Sequence, residues 1–233
     1  AVCSESVTLL GCDGKNKVVM QNPSAPVVET RQGALSGLTD ENVHVWCGIP
    51  YAAPPVGEWR WRSPRHPEPW DVVREATAFS ASSWQSSEYC QELGGGDPGQ
   101  FSEDCLYLNV WSPTERAGPL PVMVWLHGGG FTIGAGGLPP YNGKALATRG
   151  VVVVTINYRL GHLGFFAHPA LEGEEDRVVH NFALLDQIAA LEWVRDNIAA
   201  FGGDPANVTL FGESAGARSV LSLLASPQIG RAS

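Results

Sequence analysis

"TLFGESAGAR", residues 209–218, is the stretch on which the reading of this chain turns. It places Ser214 at the centre of Gly212-Glu213-Ser214-Ala215-Gly216, a G-x-S-x-G pentapeptide. Small residues recur by chance, and Ser is a favoured helix N-cap, so the pentapeptide alone also fits a capping serine. Its flanks favour a nucleophile. "VTLF" before it has the composition of a strand, and "AGARSVLSLLA" after it has the pattern of a helix. A strand, a sharp strained turn and a helix lift a hydroxyl above the edge of a sheet, and small flanking residues relieve the crowding there.

A second motif supports the first. "LHGGGF", residues 126–131, directly follows the strand-like "PVMVW". Successive glycines present backbone N–H groups with no side chain in the way, which is what a developing oxyanion needs. In an α/β-hydrolase the loop after this strand supplies such donors, and the residue after the nucleophile supplies another. The oxyanion hole is therefore assigned to the amides of Gly129, Gly130 and Ala215. A glycine loop after a strand can also cradle phosphate, but no G-K-[ST] or G-x-G-x-x-G follows. His127 reads as a structural histidine, because the base of this fold comes after the nucleophile. All six His of the chain precede Ser214, and after it no His, Asp or Glu occurs before Ser233.

At 233 residues the chain is long enough for one large domain or two small ones. Its 44% hydrophobic and 17% charged residues are those of a soluble globular protein. A net charge of −9 argues against a nucleic-acid or anionic-membrane surface, which needs clustered Lys and Arg. "VVVVTI" at residues 151–156 is too short to span a bilayer and reads as a buried parallel strand. None of the five cysteines has C-x-x-C spacing, and no ligand cluster suggests a metal or an organic cofactor. Cys3 with Cys12 and Cys90 with Cys105 form natural local disulfides, and Cys47 is left as a buried free thiol beside Trp46. Paired cysteines imply an oxidising compartment, so a signal peptide and a secreted or periplasmic protein are expected. Five reduced core cysteines are the alternative.

Residues 1–48 carry short alternating runs such as "KVVMQ" and "HVWC" and read as hairpins of a small antiparallel sheet. Residues 49–102 are Pro- and Gly-rich and read mostly as loop. From Leu106 strands alternate with helices, which predicts a mostly parallel central sheet with helices on both faces. The long helix has Leu184, Ile188, Leu191, Val194 and Ile198 spaced for one apolar face, and "FGGDP" ends it.

"GIPYAAPPVG", "SEDCLYLNVW", "HGGGF", "NYRLGHLGFF" and the run from "NFALLDQIAALEWV" to "FGESAGA" together resemble the type-B carboxylesterase/cholinesterase family. The likeness covers residues 27–226 and leaves 1–26 as an N-terminal extension. It implies the N-terminal part of a single α/β-hydrolase domain about twice this length. It implies a serine carboxylic-ester hydrolase that acts on small esters through an acyl-enzyme on Ser214. The family's acid and His lie downstream, so a C-terminal part, from the same precursor or a second chain, is expected to carry them. The resemblance places Cys90–Cys105 at the family's first disulfide loop, and Arg60 with Glu103 and Arg159 with Asp186 at two buried ion pairs. It places Glu213 at a buried acidic position that supports the active site.

Two departures matter. Cholinesterases carry a Trp inside the disulfide loop that holds a cation, whereas Phe101 is the only aromatic between Cys90 and Cys105, which counts against choline esters. Arg218 stands one helical turn after Ser214, where the family has a small residue. It either pairs with an acid from the C-terminal part or lies at the acyl site and favours acidic acyl groups. The fold also serves non-catalytic adhesion and binding modules and serine peptidases, and these remain the alternatives.

Overall fold

A computed structural model describes residues 25–171 and 180–227. The chain enters through two antiparallel pairs, β1 (Val27–Thr30) with β2 (Gly33–Ser36) and β3 (Leu38–Asp40) with β4 (Val43–Pro50). A long irregular stretch follows, as the Pro- and Gly-rich composition predicts. It contains a 3-10 turn (Gly57–Trp59), the short β5 (Arg74–Glu75), which pairs with β2, and the α-helix α1 (Ser87–Glu92). Then come β6 (Tyr107–Pro113), β7 (Leu120–Leu126), α2 (Lys144–Ala147), β8 (Val152–Ile156) and α3 (Gly161–Gly164). The last elements are α4 (Phe182–Asn197), β9 (Gly203–Gly212) and α5 (Ala215–Ala225). The run "KVVMQ" and the Cys3–Cys12 pair lie outside the described residues.

β1, β2 and β5 make a small sheet, and the other strands make a six-stranded sheet in the order β3-β4-β6-β8-β7-β9. β8, β7 and β9 are parallel neighbours. β6, expected to start the parallel part, runs antiparallel to β8. The short connection at 114–119 reverses the chain between β6 and β7, and the crossover through α2 then inserts β8 between them, parallel to β7. β8 is buried on both faces, the condition for a continuous apolar strand. Val152, Val154 and Ile156 join the main core with Trp193, Val194 and Leu223 of α4 and α5. Val153 points to the other face and packs with Trp111, Val43 and Ala147 of α2. Helices thus cover both faces, and β9 stands at the edge of the sheet.

The buried face of α4 is not the expected stripe. Leu184, Ile188 and Leu191 are half-buried, while Phe182, Ala183, Asp186, Gln187, Ala190, Trp193, Val194 and Asn197 are buried. Three of these are polar, and each is tied to another segment. Asp186 accepts from Arg159 at 2.7 and 2.8 Å, Gln187 donates to Ser219 at 3.0 Å, and Asn197 accepts from the Arg31 amide at 2.8 Å. A count of apolar residues cannot see a face buried partly through polar groups that bond distant segments.

The disulfide Cys90–Cys105 does not form. Cys47, Cys90 and Cys105 are all free and buried. Cys90 packs with Ile133, Ala135 and Leu138, whereas Cys105 belongs to the main core, so the two thiols serve different clusters. Burial pushes the Cys47 and Cys105 thiols up to about 12 and holds both protonated. The expected ion pairs both form, but only Arg159–Asp186 is buried, with side chains 2% and 0% exposed. Arg60–Glu103 is bidentate at 2.6 Å and partly solvated, with side chains 39% and 22% exposed.

Candidate active site

Ser214 sits between the end of β9 and the start of α5, as the strand–turn–helix pattern requires. Its backbone is at φ +52°, ψ −114°, a left-handed conformation that a side-chain-bearing residue adopts at a cost of about 1–3 kcal/mol. The strain aims the side chain outward. Ser214 is exposed, and its hydroxyl makes no cap bond to the helix, so the capping reading does not hold. The turn closes through the Gly216 amide, which donates to the Glu213 carbonyl at 2.8 Å. Gly216 is required by close approach: a Cβ there would fall on the Leu126 carbonyl at the end of β7. The elbow and the glycine loop therefore touch main chain to main chain.

The loop after β7 is fixed on several sides. The His127 carbonyl accepts from the Tyr158 hydroxyl at 2.6 Å. The Phe131 carbonyl accepts from the Gly161 amide at 2.7 Å, and the Gly129 carbonyl accepts from the Thr132 and Ile133 amides. Gly129 adopts φ +102°, open only to glycine, and Phe131 follows at +63°. Among the described residues the amides of Gly129 and Gly130 donate no hydrogen bond, and Ala215, first residue of α5, has no intrahelical acceptor. Of the three, Gly129 and Gly130 line the cleft beside Ser214, whereas Ala215 is buried and does not. Gly128, Gly129, Gly130, Glu213 and Ser214 line one cleft of about 490 Å³. Its other wall comes from Tyr89, Cys90, Leu93, Leu138 and Tyr141. The sequence reading missed these five as site residues. They come from α1, the residue after it and the segment that leads to α2, whose approach to Ser214 is set by the fold, and no local pattern marks them.

Glu213 is exposed, contrary to the buried position expected of it. Its carboxylate lies where a Cβ on Gly128 would be, against the backbone of the glycine loop, and faces the open cleft. It contributes to raising the hydroxyl of the neighbouring Tyr141, an effect led by burial. Arg218 is also exposed, donates its amide to the Ser214 carbonyl at 3.1 Å, and has no ion partner among the described residues. It does not line the cleft.

Among the described residues no side chain hydrogen-bonds the Ser214 hydroxyl. His127 is fully buried and stacks on Tyr158 at 4.2 Å. Nδ1 donates to the Gly128 carbonyl at 2.9 Å, and Nε2 makes no hydrogen bond among the described residues. Burial lowers its pKa to about 4, so the ring stays neutral near pH 7 and supports the loop from beneath.

The sequence matches the carboxylesterase family over residues 24–231. It is 52% identical over 202 residues to a para-nitrobenzyl esterase of Bacillus subtilis, covering 86% of this chain and 40% of that protein. It is 51% identical over 203 residues to a fumonisin B1 esterase of Sphingopyxis macrogoltabida, covering 86% of this chain and 37% of that protein. A solved para-nitrobenzyl esterase superposes with a TM-score of 0.82 at 49% identity, over 88% of this chain and 42% of that one. The chain therefore spans about two fifths of the length of the relatives it matches. The chain is an α/β-hydrolase that belongs to the carboxylesterase family.

Proposed function

We propose that this protein is a serine carboxylic-ester hydrolase whose nucleophile is Ser214. The triad acid and His come from the further length that its relatives possess. The observation that carries the reading is an exposed, strained Ser214 facing the cleft that also holds the unoccupied amides of Gly129 and Gly130. In this reading the His takes the proton from Ser214 Oγ as Oγ bonds to the ester carbonyl carbon. The carbonyl oxygen becomes an oxyanion held by the amides of Gly129, Gly130 and Ala215. The C–O bond to the alcohol then breaks, the His returns the proton to the departing oxygen, and water releases the acid from Ser214 by the same steps. The mostly apolar wall of Tyr89, Leu93, Leu138 and Tyr141, in which Tyr89 and Leu93 are exposed, suits esters with an apolar group.

In the full-length protein, Ser214→Ala should leave the fold intact and remove ester hydrolysis by a factor on the order of 10⁶. Near-normal turnover in that variant would place the chemistry elsewhere. A parallel panel of esters and peptides separates an esterase from a peptidase, and an adhesion module would turn over neither. Arg218, exposed one turn beyond the nucleophile and without an ion partner among the described residues, supports a finer reading in which esters of acidic acyl groups are favoured. Arg218→Ala should then raise KM for an acidic acyl ester and leave its neutral counterpart unchanged, while equal effects on both would dismiss that role.

A further inference from the structure

We propose that Gln85 is a positioning residue for the oxyanion hole, an inference that rests on the esterase reading above. Gln85 lies in the irregular stretch before α1, 49 positions from the residue it holds. Its side-chain Oε1 accepts from the Gly134 amide at 2.7 Å, and its Nε2 donates to the Gly134 carbonyl at 2.9 Å. The side-chain amide thus pairs with both polar groups of one residue, as a neighbouring strand would. Nε2 also donates to the Ser83 carbonyl at 3.1 Å, which orients the amide. Gly134 is buried and ends the turn that starts at Gly129.

This places the clamp where it governs geometry. Gly134 adopts φ +116°, and a Cβ there would collide with His127 Nδ1. Its backbone thus lies against the ring beneath the glycine loop. On the far side of Gly134, the Gly136 amide donates to Asn157 Oδ1 at 2.7 Å, and its carbonyl accepts from Thr155 at 2.7 Å. Those two bonds tie the segment to β8 and to the residue after it, and so to the sheet. At Gly134, Gln85 is the side chain that pairs with both the amide and the carbonyl among the described residues, and it does so from outside the sheet. Without it a buried amide and a buried carbonyl lose their partners, and the Gly129–Ile133 turn loses its C-terminal anchor. Oxyanion donors stabilise a transition state only when they are held at the position where charge develops. A loosened turn weakens them there and leaves ground-state binding, which uses the other cleft wall, largely as it was.

The test is made in the full-length enzyme on a neutral ester, with kcat, KM and melting temperature measured for Gln85→Ala and Gln85→Glu. Removing an oxyanion donor outright lowers kcat by about 10²–10³. Displacing donors through their anchor should cost less, about 10- to 100-fold in kcat for Gln85→Ala, with KM within about threefold. Affinity for a trifluoromethyl ketone, which adds to Ser214 and forms an oxyanion, should fall by the same factor as kcat/KM. Gln85→Glu supplies an independent reading if the alanine variant fails to fold. Ionised, its carboxylate opposes the Gly134 carbonyl; protonated, it reproduces the donor and acceptor of the amide. Its activity relative to wild type at matched pH should therefore rise as pH falls from about 8 towards 5. A kcat for Gln85→Ala within twofold of wild type, an unchanged ketone affinity, or a flat Gln85→Glu ratio would overturn the assignment. A wild-type enzyme inactive on all esters, or a Ser214→Ala variant that remains active, would instead remove the esterase reading itself.

Discussion

Two walls of the cleft around Ser214 are held in different ways. One consists of β7, β9, the glycine loop and the start of α5, where main chain packs on main chain: Gly216 against the Leu126 carbonyl, and β7 paired with β9 from Val122 to Leu126. The other consists of the irregular residues from Ala81 to Cys105 with α1, which carry Tyr89, Cys90 and Leu93 into the cleft. That wall is held by side chains, among them Ser82 on the Pro98 carbonyl at 2.6 Å and Cys90 in its own small apolar cluster. The first wall tolerates no change of size, because backbone atoms cannot move aside cheaply. The second is a set of separable contacts, each replaceable at a modest cost.

The sharpest way to break the contrast is at Gly216. Gly216→Val drives two γ-carbons into the Leu126 carbonyl region and should leave no folded, active enzyme, read by soluble yield and circular dichroism. A folded variant with wild-type activity would mean the elbow is far looser than its contacts indicate. The next effect comes from the ion pairs. Asp186→Ala strands a buried Arg159 guanidinium and should cost about 3–5 kcal/mol in urea denaturation. Glu103→Ala, whose partner Arg60 remains solvated, should shift the midpoint far less, and more at low salt than at high salt. Equal effects would contradict the burial difference between the two pairs.

These two walls also differ in how far the sequence revealed them. The strained turn at Ser214 and the glycine loop at Gly129 and Gly130 were legible because such a turn and loop demand small residues in a fixed order. β7, β8 and β9 were legible as apolar runs bounded by Gly and Pro. The direction of β6 was not, because a strand's partner is chosen by the path of the chain and not by its own composition. The face of α4 was misplaced for a different reason: Asp186, Gln187 and Asn197 are buried where each bonds a group from another segment. The same blindness hid Gln85, whose partner is 49 positions away. The family resemblance also carried over a disulfide and a buried Glu213, and neither is present here.

A smaller effect follows from His127 beneath the first wall. Its native pKa of about 4 lies below the ordinary 6.5. The unfolded chain therefore binds a proton that the folded one refuses, and stability contributed by the neutral ring is lost as pH falls from about 6.5 to about 4. His127→Gln should flatten the stability profile in that window. The smallest effect belongs to the second wall. With Cys90 and Cys105 free, a reductant should not change the melting temperature through these two, and peptide mapping without reduction should recover both as thiols. A Cys90–Cys105 cross-linked peptide would contradict the separate clusters in which the two are packed.

The account stands on Ser214 as the reactive group. The most direct measurement is labelling of the full-length protein with a fluorophosphonate, followed by tryptic digestion and mass spectrometry. Cleavage after Arg195 and Arg218 isolates residues 196–218, in which Ser214 is the only serine. The account predicts one stoichiometric adduct, on that peptide and at Ser214, with ester hydrolysis lost in proportion to labelling. An enzyme that hydrolyses esters yet carries no adduct on that peptide, or carries it at another serine, would contradict it.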